Sequence, residues 1–296
     1  MNDAPQDSLA TVARLIDAGG VIPYLGPGML SLCPDTTVPV TPKALAAVLT
    51  TQASVPHKIR DRLTQAAQFI ENFKHRKTLV RLMDGAFASA PTPSALHLAL
   101  AASAAPLLVH TWYDDTVARA MMQARPAADW GQVQGLSQSE HFGTWTAAYP
   151  HDGAQVVALP EQGLPAGWNA LLYQPLGGHA PAGNYLVSDS DFVEVLTEID
   201  IQTPIPQAVQ DLRSGRSFLF LGCRFDDQLT RAFARQIMKR SSDRHWAVLP
   251  EKPTRMEQRF LDEQRIERIA LPLDAVAARL AATTVLASPA AQPRAA

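Results

Sequence analysis

Gly19-Gly20-Val21-Ile22-Pro23-Tyr24-Leu25-Gly26-Pro27-Gly28-Met29 decides how the chain reads. The glycine pair stops a helix, Val21 to Leu25 is an apolar run of strand length, and Gly26 and Gly28 make a turn at its carboxyl end. Glycines there leave no side chain to hold a ligand off the backbone, and in open parallel sheets nucleotides bind at the carboxyl ends of strands. The turn departs from G-x-G-x-x-G. Ser31 takes the third glycine position, Asp35 comes too early for a ribose-binding acid about 20 residues on, and Pro27 removes one N–H from a phosphate cradle. An ordinary strand-to-loop turn is the alternative reading at this point.

Working outward, Ser8 is read as the cap of a helix through Leu9, Val12, Leu15 and Ile16. Downstream, Thr41-Pro42 opens a helix to about Ala53, Ile59 to Ile70 marks a second, and Leu79, Val80 and Met83 a third. This helical insertion, about 42–90, separates the first strand from the second and either covers a site or widens the core. Pro93 to Ala102 reads as a helix, Pro106 to Val109 as a buried strand, His110 to Asp115 as a loop, and Thr116 to Gln123 as the next helix. In 126–168 only Gln155 to Leu159 is read as a strand. Leu171 to Gln174 follows and opens into Pro175-Leu176-Gly177-Gly178-His179. Asp189 or Ser190 caps a helix through Phe192, Val195 and Ile199, and Pro206 opens another that Gly215 ends. Ser217 to Leu221 is the clearest central strand, stopped by Gly222, and Asp226 and Asp227 cap a helix to about Arg240. Trp246 to Leu249, Met256 to Asp262, Ile266 to Leu271 and a last helix to Thr284 continue the alternation. The fold class is α/β: a Rossmann-like, doubly wound parallel sheet in one domain over 1–284, with a disordered Ala/Pro tail at 285–296.

With 296 residues and 47% hydrophobic content, the chain has ample material for a core. A formal net charge of -2 without a long basic run disfavours nucleic acid and leaves a small-molecule nucleotide as the expected partner. A protein partner or a homo-oligomer stays open. Cys33 and Cys223 alone exclude a disulfide framework and a four-cysteine zinc module, so no metal is expected. No secretory signal and no apolar stretch of about 18 residues is present, which gives a cytoplasmic expectation without membrane contact.

In order and spacing, these stretches resemble the sirtuin-like family of NAD-binding proteins, in particular its bacterial branch linked to NAD hydrolysis in phage defence, over roughly residues 10 to 275. Tyr24-Leu-Gly-Pro-Gly28 stands at the family's Gly-Ala-Gly turn, Thr111-Trp-Tyr-Asp114 at its Thr-Asn-Tyr-Asp, Tyr173-Gln-Pro-Leu-Gly-Gly178 at its Tyr-Lys-Leu-His-Gly, and Phe220-Leu-Gly-Cys-Arg-Phe-Asp226 at its segment under the adenosine half. The resemblance implies NAD as ligand or substrate, contacted by Gly26, Pro27, Gly28, Met29, Thr111, Trp112, Tyr113, Gly178, Gly222, Cys223 and Phe225.

Two departures bear on chemistry. Trp112 stands at the family's catalytic asparagine and Gly177 at its catalytic histidine. Cleaving the nicotinamide–ribose bond needs a held ribose and a guided nucleophile; an indole only donates a hydrogen bond and glycine has no side chain. Losing one positioned acid or base costs on the order of 100- to 10,000-fold in rate. The resemblance therefore implies a degenerate protein that senses NAD or ADP-ribose or contributes to an assembly. The alternatives are an active glycohydrolase using a relocated His179 with Asp114 as catalytic residues, and an interaction scaffold without ligand.

Overall fold

The computed structural model describes residues 4–198 and 204–287. It opens with α1 (Ala4–Asp17), β1 (Val21–Leu25) and a 3-10 turn at Pro27–Leu32, followed by α2 (Pro42–Gln52), α3 (Leu63–Lys74), α4 (Arg76–Phe87) and α5 (Ala95–Ala102). Next come β2 (Leu107–His110), α6 (Thr116–Ala124), β3 (Trp130–Gly135), β4 (Thr146–Pro150), β5 (Ala170–Gln174) and the short pair β6 (Gly177–Gly178) and β7 (Asn184–Tyr185). The remainder is α7 (Asp189–Glu198), α8 (Gln207–Arg213), β8 (Ser217–Leu221), α9 (Gln228–Ile237), β9 (His245–Val248), α10 (Arg255–Glu263), β10 (Ile266–Ile269) and α11 (Leu273–Ala287).

The main sheet runs β10-β9-β8-β1-β2-β5-β3-β4, and every neighbouring pair is parallel except β3 with β4. Helices cover both faces, as parallel strands require because their connections cross over the sheet. Alternation along β1 divides the core: Ile22 and Tyr24 join one apolar cluster, Val21 and Leu25 the other. Leu45, Leu49, Ile70, Leu79, Met83 and Phe87 of the helical insertion join the first cluster with Val109 and Tyr173, so the insertion widens that core. The expected α/β, doubly wound sheet with a helical insertion is the observed architecture.

Several boundaries differ for local reasons. Ser8 lies inside α1 and its hydroxyl donates to Glu267 Oε1 instead of capping. The second insertion helix begins only at Leu63, because His57–Ile59 is a separate 3-10 turn. Gln155 to Leu159 is no strand: it contributes an isolated bridge between Ala148 and Val157. The true strands of this region are β3 and β4. β3, Trp-Gly-Gln-Val-Gln-Gly, lacks an apolar period because its neighbours satisfy polar groups: Gln134 Nε2 donates to Gln174 Oε1 (3.1 Å) and to Ala180 O (2.6 Å). α11 extends past Thr284 to Ala287; the rest of the expected tail, 288–296, and Ile199 lie outside the described residues.

Candidate functional site

β1 lies between β2, which follows it in the chain, and β8, which leads the chain away toward the other edge. The loops after β1 and β8 therefore flank the topological switch point, the usual ligand crevice of such sheets. Here those loops meet backbone to backbone. Gly26 N donates to Leu221 O (2.9 Å), Gly28 N to Gly222 O (2.9 Å) and Met29 N to Gly26 O (3.1 Å). A Cβ on Gly26 would lie 2.6 Å from Gly222 O and 2.8 Å from Cys223 Sγ, while one on Gly222 (φ +64) would lie 2.3 Å from Met29 N. Close approach demands glycine at both turns, and in this conformation the three amides are committed to protein acceptors. Burial pushes the Cys223 thiol far up, and the thiol is free but inert.

Phe225 packs between Phe220 (5.2 Å) and Phe260 (4.8 Å), and its N donates to Glu257 Oε1 (3.1 Å). Thr111 joins the ends of β1 and β2, with N and Oγ1 both donating to Leu25 O (2.8 and 3.1 Å). Trp112 points into the core under the insertion. It is 3% exposed, its Nε1 donates to Pro39 O (2.8 Å), and its ring meets Phe87 edge-on at 5.9 Å and Tyr113 at 5.1 Å. Tyr113 is buried as well, its hydroxyl donating to Leu186 O (2.8 Å).

Gly177 has φ +75, and a Cβ on it would lie 2.1 Å from Asn184 O across the β6–β7 pair. No side chain fits there. Gly178 faces the amides of Gln174 and Gln134, 2.9 and 3.0 Å from a Cβ position. The next residue, His179, is 29% exposed in its side chain. Its Nδ1 lies 3.3 Å from Tyr185 Oη and 3.9 Å from Asp84 Oδ1, and Tyr185 Oη donates to that same Asp84 oxygen (2.6 Å). Asp115 accepts from Ala180 N (3.1 Å); burial raises its pKa and the neighbouring His179 partly offsets this.

Asp114 belongs to a different pair. It is 1% exposed, its Oδ2 lies 3.2 Å from His110 Nε2, and its Oδ1 accepts from Thr116 N (2.9 Å) at the start of α6. Burial works to raise its pKa, but His110 and Thr116 outweigh that and hold it at about 2. His179 and Asp114 thus have separate partners. Asp84 was not readable as a neighbour of His179, since it comes from an insertion helix far from it in sequence. Among the described residues no group of three or more His, Cys, Asp or Glu is placed to hold a metal.

The family model described as "SIR2-like domain" matches residues 106–269, more than half of the 296 residues. The chain belongs to the SIR2-like domain family. Its match begins just before β2 and ends with β10, so it includes the Trp112 loop, the β6–β7 pair and the Gly222 turn. The chain is also similar to a solved structure titled "Structural Basis for the Mechanism and Regulation of Sir2 Enzymes", at 10% identity over 95% of this chain and 98% of that one, with a TM-score of 0.42. No curated protein matches. Nucleotide binding, generally of NAD, is the function of the SIR2-like family at its broadest.

Proposed function

We propose that this SIR2-like protein keeps the family's dinucleotide frame without its glycohydrolase chemistry, and acts as a sensor of an NAD- or ADP-ribose-type nucleotide or as an assembly component. One observation carries the reading: both positions at which the resemblance places reactive groups serve packing. Trp112 is locked by Pro39, Phe87 and Tyr113, and Gly177 has no room for a side chain. Neither residue guides a nucleophile to a ribose. A nucleotide whose phosphates replaced the Gly222 carbonyl at Gly28 would have to part the two glycine turns. Opening two backbone hydrogen bonds costs about 1 kcal/mol each net, which the charge-assisted bonds to phosphate offset. Binding is then coupled to movement of one loop against the other, as sensing requires.

A relocated acid or base is the second reading, favoured by the half-exposed His179 beside Asp84 and Tyr185. Incubating the full chain with NAD separates the two. The first reading expects no nicotinamide release with measurable NAD or ADP-ribose binding by calorimetry. Release abolished by His179→Ala supports the second. Neither turnover nor binding leaves the ligand-free scaffold, to which the committed amides of Gly26, Gly28 and Met29 are suited.

A further inference from the structure

Residues 136–145, between β3 and β4, form a loop that is hydrogen-bonded along its length. Leu136 N donates to Trp145 O (2.9 Å), His141 N to Ser137 O (2.9 Å) and Thr144 N to His141 O (2.8 Å). The Gln138 side chain donates to Thr144 O (2.9 Å) and accepts from Gly143 N (2.8 Å). Buried Ser137 anchors the base: its N donates to Asn184 Oδ1 (2.8 Å) and its hydroxyl to Asp191 Oδ1 (2.5 Å). On this fixed loop Phe142 is 94% exposed, more than any other large apolar side chain among the described residues. Scattered apolar side chains are ordinary on a surface. An aromatic ring held out on a pre-ordered loop gains nothing from its own chain, and pre-ordered aromatics are what anchor interfaces.

Negative charge underlies the loop. Glu71 of α3, Glu140 of the loop itself and Asp191 and Glu194 of α7 share one cation, Arg76, whose guanidinium lies 3.6, 3.2 and 2.9 Å from the first three. Burial pushes the Glu194 carboxyl up, and Asp191 and Glu71 add to the rise. The helical insertion carries a depression of about 510 Å³ with the opposite sign, lined by Ala47, Thr50 and Thr51 of α2 with Lys43, Arg60 and Asp61. Both threonine hydroxyls turn to Ala47 O (3.4 and 2.8 Å), which leaves their methyl groups for the depression. Exposed Lys58 and Arg62 flank Arg60 in the chain, so the neighbourhood carries four cations to one carboxylate.

We propose that Phe142 of one copy of the chain docks in the α2 depression of a second copy. The ring meets Ala47 and the threonine methyl groups with Lys43 and Arg60 beside its face, and the acidic base of the loop meets the basic surround. Phe142, being 94% exposed, does not occupy the depression of its own chain. Knob and hole are different surfaces, so the contact is heterologous, and its repetition builds a ring or a filament. Such assembly does not require nucleotide binding.

Sedimentation velocity of the full chain, from low to high micromolar concentration, provides the test. Species larger than the monomer are expected to grow with concentration and to recede as salt screens the charges. Phe142→Ser and Ala47→Trp both change exposed positions, so their Tm should match that of the parent. Each should weaken association at least about thirtyfold. An equimolar mixture of the two variants should restore one-to-one dimers and nothing larger, since only one intact knob and one intact hole remain in each pair. A parent chain that stays monomeric throughout, association undiminished in either variant, or a mixture that stays monomeric overturns the proposal.

Discussion

The two ends of the sheet treat glycine in opposite ways. At the carboxyl ends of β1 and β8, glycine stands wherever a Cβ would strike backbone, and the resulting contact consumes the amides that a phosphate would use. At the amino ends of β9 and β10, arginine stands where glycine would be less strained: Arg240 (φ +66) and Arg265 (φ +53). A glycine turn is therefore poor evidence of a ligand when another backbone fills the space it leaves.

The largest effect expected of a single change is at Gly222. With φ +64 and a Cβ 2.3 Å from Met29 N, Gly222→Ala should lose on the order of 4 kcal/mol in urea denaturation, since the obstacle is backbone. A loss below about 1 kcal/mol would mean that the two turns stand apart in solution and that the crevice is open. Trp112→Asn comes next, at about 3 kcal/mol from lost packing and the lost bond to Pro39, with no nicotinamide released from NAD. Nicotinamide from that variant would show that only the asparagine was lacking.

Asp114 gives a pH signature. Its folded pKa of about 2 lies below the ordinary 3.8, so its contribution is fully present above about pH 4 and is lost as the pH falls through 2. Thermal melts should show about 2 kcal/mol of this acid-side loss vanish in Asp114→Asn. An unaltered acid limb would separate Asp114 from His110 in solution. The smallest effect belongs to the amino-end turn: Arg265→Gly should gain about 1 kcal/mol, because the exposed pair with Asp243 contributes little. A net loss would make that pair the reason for arginine.

Legibility in the sequence followed periodicity. Val21 to Leu25 and Ser217 to Leu221 are observed with the expected limits, because a continuous apolar run bounded by glycines admits few alternatives. β3 was illegible because Gln132 and Gln134 are buried, Gln134 against partners from another strand and a loop, and Gly131 lies under the Trp168 ring. At the site, the glycine turns after β1 and β8 could be read directly. The partners of His179 and Asp114 could not, since Asp84 arrives from α4 and His110 pairs only once β2 turns into its loop.

By itself the sequence determined the alternation of strands and helices and the glycines at the strand ends, which depend on residue type and local spacing. Tertiary structure alone decided that the two glycine turns close on each other and that Asp84 meets His179 and Tyr185. Those outcomes depend on which distant segments the sheet order brings together, and hydrogen bonds and charges act over a few ångströms regardless of separation along the chain.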